Sequence, residues 1–278
     1  MSEPADGWSF DDHTTPHEGR EGSCRALIRP ELSGFGGTHG GHLAALALRT
    51  MQHLVAGSGR PPRSLTVHFL APVEPGPVEL TPRLERSGSS MASASVRLEQ
   101  GGGPVALALA SFGRPRPSLE HAAAAMPAVP PPERCQTLVE KPVPDAFGML
   151  VEHRLAAPPL PLSGGDRAEV VFWMRLVEDR PIDALSACML ADAAVPALYG
   201  RLDRFVPVPT ADLTVHYAGV AEAPDRWVLG AFRTCWAAEG YAIEEGDLWA
   251  ANGRLVLRTH QLRRILGDRR EPPGRKDA

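Results

Sequence analysis

The sequence predicts an α+β fold built twice over, each copy a long helix wrapped by an antiparallel sheet. Three observations predict it. The pentapeptide Leu65-Thr66-Val67-His68-Phe69 returns as Leu213-Thr214-Val215-His216-Tyr217, 148 positions later. The turn Gly101-Gly102-Gly103, ahead of the apolar run 105–112, corresponds to Ala251-Asn252-Gly253 ahead of 255–265. Residues 42–48 stand 150 positions before residues 192–198, with Ala and Leu recurring in both. Matches in one order at nearly one spacing imply a tandem duplication.

The elements follow in order. Residues 23–28 form a candidate strand. Gly40-Gly41 then open a helix whose Leu43, Leu46, Ala47, Met51 and Leu54 fall at helical spacing. Four short runs, 65–71, 78–85, 92–99 and 105–112, are divided by Pro or Gly and read as strands. Residues 114–162 hold Pro115, Pro117, Pro127, Pro130, Pro131 and Pro132. Proline neither donates to a ladder nor continues a helix, so this segment is an extended crossover, with a weak helical signal at 118–125. The second copy offers a strand at 168–176, a helix at 184–199, and strands at 210–217, 227–236, 240–249 and 254–265. Asn252-Gly253 marks a tight hairpin between the last two. The tail after Leu266 is polar and expected to fray. One helix wrapped by an antiparallel sheet is the hotdog arrangement, so the expectation is a double hotdog. Its units are an N-terminal hotdog at 1–113, a linker at 114–162 and a C-terminal hotdog at 163–278.

Composition narrows the function. The 278 residues include 29 Lys+Arg against 33 Asp+Glu, a net charge of −4, which gives no electrostatic reason to expect nucleic acid. With 43% apolar residues the chain can build a core. No apolar run approaches the roughly 18 residues of a membrane span. The acidic N-terminus lacks a basic segment followed by an apolar one, so no secretory signal is expected. Cys24, Cys135, Cys188 and Cys235 are scattered without a CxxC pair. That argues against a disulfide framework or zinc site and for a reducing cytoplasm.

Several chemistries drop out. There is no G-x-S-x-G elbow and no Walker-type Gly-Lys-Ser/Thr, and the glycines at 34–37 lack the sixth-position glycine of a dinucleotide loop. His17-Glu18 is not followed by a His at 21. His39 and His42 lack partner ligands for a metal, leaving a helix-start or substrate-contact role. Cys188 has no evident partner as a nucleophile and reads as a packing residue.

The run Gly40-Gly41-His42 with residues 44–48, the 65–69 strand and Ala110-Ser111-Phe112 resemble the N-terminal hotdog of type II acyl-CoA thioesterases. Phe172-Trp173-Met174-Arg175, Leu190-Ala191-Asp192, Pro209-Thr210 and Thr259-His260-Gln261 resemble its second half. The resemblance covers most of residues 23–266 outside the proline segment. It implies hydrolysis of acyl-CoA to fatty acid and free CoA without a metal or other cofactor. The family's helix Asp, strand Thr and last-strand Gln fall on Asp192, Thr210 and Gln261, the implied catalytic set. Gly40, Gly41 and His42 fall at the implied substrate-binding turn. Here His42 replaces the Gln common after the paired glycines, a departure bearing on substrate preference.

The residues also speak for themselves. Asp192, three to four positions from Cys188, Met189 and Val195, falls on an apolar stripe, where a carboxylate requires hydrogen-bond donors. Pro196 lacks the N–H that would bond the Asp192 carbonyl. Gln261 shares a strand face with Leu255 and Leu257, where its amide needs partners. Thr210 alone fits a strand start as well as a site. Arg263 and Arg264 suit either CoA phosphates or a solvated strand end. The expected chemistry is direct attack by a water held by the three side chains, with helix-end N–H groups steadying the oxyanion. An apolar acyl tunnel is expected between the two helices and their sheets. Two chains could pair as a homodimer through those sheets. Two alternatives stand beside hydrolysis: a non-catalytic acyl-CoA binder, and a hotdog enoyl-CoA hydratase, disfavoured by Ala at 197 where a His is needed.

Overall fold

The structure, a computed structural model, describes residues 8–20, 22–34, 36–138, 147–218 and 226–267. The polar tail lies, from residue 268, outside them. In the first half, Cys24–Ile28 (β1) precedes the helix Gly40–Leu54 (α2), itself preceded by a short helix Phe10–Thr14 (α1). Strands Pro62–Phe69 (β2), Gly76–Ser87 (β3), Met91–Gln100 (β4) and Gly103–Gly113 (β5) follow. The second half holds Val151–Ala157 (β6), Glu169–Leu176 (β7) and the helix Ala184–Leu190 (α3). It ends with Thr210–Tyr217 (β8), Val228–Ala238 (β9), Tyr241–Ala250 (β10) and Leu255–Arg264 (β11).

The long strands form one antiparallel sheet in the order β1-β3-β4-β5-β2-β8-β11-β10-β9-β7-β6. Two-residue strands, His17–Glu18 and Gln136–Thr137, close its edges. The first half therefore places β1, β3, β4, β5 and β2 side by side around its helix, and the second half places β7, β9, β10, β11 and β8 in the corresponding order with β6 added at its edge, the double hotdog the sequence predicts. The halves meet where β2 pairs with β8. There Thr214 faces Thr66, its own repeat counterpart, while Asp212 faces His68 and His216 faces Ser64. An approximate twofold axis thus passes between the two threonines, whose hydroxyls lie 3.1 Å apart.

Helix α2 is apolar nearly all round, with Leu43–Leu48 and Met51 buried, as expected of a helix enclosed by a sheet on one side and a second helix on the other. Alanines at 44, 45 and 47 keep the helix slim enough for that enclosure.

Three expectations need correction. The second helix ends at Leu190, not near 199; residues 197–200 form a separate 3-10 turn. Pro196 explains the break, because it supplies no N–H to Asp192 and disfavours helical backbone at Val195. Residues 192–198 consequently occupy no helix equivalent to α2, so the third repeat match does not mark corresponding positions. The other two fall on corresponding elements, β2 with β8 and the β4–β5 turn with the β10–β11 turn.

The proline segment is also more than a crossover. It contains β6, and no helix occupies 118–125. Its middle covers the outer face of the sheet's second half: Met126, Val129 and Cys135 pack on Trp173, Leu229 and Trp249, and Trp173 Nε1 donates to the Pro130 carbonyl at 2.9 Å. A tethered strap shields apolar surface from water more cheaply than a free one, since its entropy is already lost.

Candidate active site

Asp192, Thr210 and Gln261 meet although they come from three elements. Asp192 sits in the turn two residues past α3, Thr210 begins β8 behind Pro209, and Gln261 lies on the inward face of β11 with Leu257, Thr259 and Arg263. The Thr210 hydroxyl lies 2.9 Å from Asp192 Oδ1 and 3.0 Å from Gln261 Oε1. Both are acceptors and the hydroxyl has one proton, so it bonds one at a time and leaves the other open. The Gln261 orientation is set from its far side, where Nε2 donates to the Ala191 carbonyl at 3.2 Å.

The other carboxylate oxygen, Asp192 Oδ2, accepts the Gly41 N–H at 3.0 Å, so the positive end of α2 faces the acid. That approach requires the paired glycines. A Cβ at Gly40 would stand 2.8 Å from Asp192 Oδ2 and 2.9 Å from Phe69, and one at Gly41 would stand 2.4 Å from the Met189 carbonyl. His39 caps α2 by accepting the Gly41 N–H at Nδ1, the first of the two roles expected of it, and it also lines the cavity that Asp192 borders.

His42 does not reach this site. Its ring is wholly buried on α2, and neither nitrogen has a hydrogen-bond partner. Burial, then repulsion from His39 and His13, lowers its pKa to about 3, so it is a neutral core residue. Among the sequence candidates at this turn, Gly40 and His39 line the cavity and His42 does not.

Arg263 is neither a solvated strand end nor free for phosphate. It is 5% exposed, with Nε and Nη2 on Glu244 Oε1 at 2.9 and 2.7 Å and Nη1 on the Thr210 hydroxyl at 2.9 Å. Glu244, 1% exposed, also accepts the Ala197 N–H at 2.5 Å through Oε2. The sequence reading missed Glu244. Its signal was there: Ala242, Glu244, Gly246 and Leu248 alternate on the buried face of β10, so an acid among them needs a cation on a neighbouring strand.

The site opens into a cavity of about 450 Å³ between the two halves. Leu43, Phe69, Val73, Phe147, Phe172 and Val208 supply much of its apolar wall. Leu, Val and Ala side chains, among them Leu70, Leu138 and Val195, make up most of the apolar lining of the expected tunnel, with Phe69, Phe147, Phe172 and Tyr199 added to them. Cys188 is fully buried and its thiol is pushed up to about 12 by burial, which suits packing and not nucleophilic attack. Among the described residues, no group of three His, Cys, Asp or Glu side chains is placed to hold a metal, and no helix is long and apolar enough to cross a membrane.

Residues 28–113 match the acyl-CoA thioesterase N-terminal domain and residues 122–265 the acyl-CoA thioesterase C-terminal domain. Over 225 residues the chain is 28% identical to acyl-coenzyme A thioesterase 8 of Homo sapiens, covering 70% of each protein. In structure it is similar to a conserved hot dog-fold protein from Alicyclobacillus acidocaldarius, at a TM-score of 0.85 and 29% identity over 93% of this chain and 98% of that one. It shares its fold with an acyl-CoA thioesterase II from Mycobacterium marinum, at 0.74 and 20% identity over 92% and 98%. The chain belongs to the acyl-CoA thioesterase family and is a thioester hydrolase.

Proposed function

We propose that this chain hydrolyses acyl-CoA by direct attack of a water activated at Asp192, Thr210 and Gln261. The observation that carries the reading is the hydrogen-bonded meeting of those three side chains at an apolar cavity. Asp192 Oδ1 accepts a proton from the water as its oxygen bonds to the thioester carbonyl carbon. Thr210 and Gln261 orient that water, and the positive end of α2 steadies the carbonyl oxygen as it gains negative charge. The carbon–sulfur bond then breaks, the CoA sulfur takes the proton back, and the fatty acid leaves. No acyl-enzyme is needed, because a thioester carbonyl is already electrophilic. The four cysteines are free, which fits the reducing cytoplasm we assign to the chain.

Thiol release from short, medium and long acyl-CoA substrates tests the reading. Asp192→Asn should lower kcat by roughly a hundredfold or more while the fold survives, because the amide oxygen still accepts the Gly41 N–H. Turnover within tenfold of the parent would overturn the role of Asp192. Acyl-CoA binding without any thiol release from the parent would favour the non-catalytic binder.

A further inference from the structure

We propose that His39 is a positioning residue for Asp192, with its two ring nitrogens doing separable jobs. The inference rests on Asp192 being the base. Because α3 stops at Leu190, the carbonyls of Ala191, Asp192 and Ala193 lie past the last helical turn, where intrahelical donors run out. For Asp192 the deficit is absolute: four residues on stands Pro196, which has no N–H.

Side chains from three other elements meet these carbonyls in turn. Gln261 Nε2 donates to Ala191 O at 3.2 Å, His39 Nε2 lies 3.0 Å from Asp192 O, and His153 Nε2 lies 2.9 Å from Ala193 O. The His39 tautomer follows from its partners. Gly41 N–H donates to Nδ1 at 3.1 Å, so Nδ1 is unprotonated, Nε2 carries the proton, and Nε2–H donates to the Asp192 carbonyl. The ring plane is held by stacking on Phe147, with centroids 3.5 Å apart and planes 4° from parallel. His39 thus replaces the backbone donor that Pro196 withholds, and does so from the opposite half of the molecule.

The consequence is geometric. Asp192 must keep Oδ1 on Thr210 and Oδ2 on Gly41 together, at 2.9 and 3.0 Å. Rotation of its untethered backbone carries both oxygens away, and a misplacement of about 1 Å in a reacting group costs about a hundredfold in rate.

Two amide substitutions separate the jobs. In His39→Asn the side-chain oxygen stands near the Nδ1 position and keeps the cap, while the donor to Asp192 is lost. In His39→Gln the terminal amide reaches the Nε2 position and keeps the tether, while the cap is lost. The expected result is a crossed pattern. Both variants lose the ring that stacks on Phe147, so they are compared with each other: His39→Asn keeps the higher Tm but loses about tenfold or more in kcat, with KM within about twofold. His39→Gln recovers most of that kcat but melts about 2–4 °C lower. A role in stability alone would make kcat follow Tm in both variants; that outcome, or parent kcat in His39→Asn, overturns the proposal. Asp192→Asn, assayed alongside, separates the two failures. If it retains turnover, the base assignment falls; if it is inactive while His39→Asn is fully active, only the tether falls. Should His39→Asn not fold, Phe147→Leu loosens the ring while leaving both nitrogens. A several-fold loss in kcat at saturating substrate is then expected, and parent kcat would overturn the proposal.

Discussion

Glu244→Gln removes the charge that compensates Arg263 while keeping an oxygen for the Ala197 N–H. Both members of the pair are 5% exposed or less, and breaking a buried pair on one side costs about 3–5 kcal/mol. Unfolding entropy is about 2 cal/mol/K per residue, so for 278 residues this is a fall in Tm of roughly 5–9 °C. The nearest remaining anion to Arg263 is Asp192, whose Oδ1 lies 3.9 Å from Nη2. The freed guanidinium should move onto it and draw it off Thr210, so kcat falls as well. Adding Arg263→Met removes the stranded charge and fills its volume with apolar atoms, a change that is often neutral or stabilising. Thermal stability should then recover to within a few degrees of the parent. Activity should not, because Thr210 has lost a charged donor worth about 1.5–3 kcal/mol, or roughly 10–100-fold in rate. Differential scanning calorimetry and thiol release, run on the parent, the single and the double variant, read both quantities. A single variant melting within 2 °C of the parent, or a double variant with full activity, would refute this account of the pair.

Two further outcomes follow from buried side chains. The neutral His42 has a folded pKa of about 3 against 6.5 for the ordinary imidazole, so the unfolded chain binds the extra proton. Stability is complete above about pH 6.5 and is lost as pH falls towards 3, by up to about 1.4 kcal/mol per pH unit. His42→Leu should flatten that acid limb in Tm scans and remove two unpartnered nitrogens; an unchanged slope would mean another group sets it. Iodoacetamide should label the exposed Cys235 and leave the buried Cys188 untouched with activity retained. Inactivation that tracks alkylation of Cys188 would contradict this.

Where side-chain alternation and turn chemistry act locally, the sequence predicts the fold closely. Residues 210–217 read as a strand and form one, and Asn252-Gly253 joins two adjacent strands. What escaped depends on contacts distant in sequence. Residues 191–199 are rich in Ala, Leu and Val and continue a helical pattern, so only Pro196 speaks for the break. β6 carries Glu152, His153 and Arg154 in mid-strand, and its pairing to β7 decides its state. Gly40-Gly41 is legible as a helix start, but the reason for glycine lies across the molecule, at Met189 and Asp192. Asp192, Thr210 and Gln261 were each ambiguous alone, and their convergence is a property of three elements docking together.

The duplicated architecture has two helix N-termini that the approximate twofold axis relates, yet only one opens on the cavity. At Gly40, the first residue of α2, Phe69 from β2 closes in and the N–H of Gly41 reaches Asp192. At Ala184, the first residue of α3, the repeat counterpart of Phe69 is Tyr217, whose hydroxyl donates to the Ala184 carbonyl at 3.0 Å. There Asp183 and Ser186 form a reciprocal capping box that uses the helix's own N–H groups. Arg180 then bridges Asp183 to Asp11 of α1, at 2.7 and 3.2 Å, so the N-terminal segment covers that end. A capping box covered by the N-terminal segment at one end, and a glycine turn whose Gly41 N–H is shared between the His39 cap and Asp192 at the other, break the symmetry that the strand order preserves. The open end belongs to the first half and the acid it receives to the second. Either half alone would therefore carry a glycine turn without an acid, or an acid without the turn that holds it.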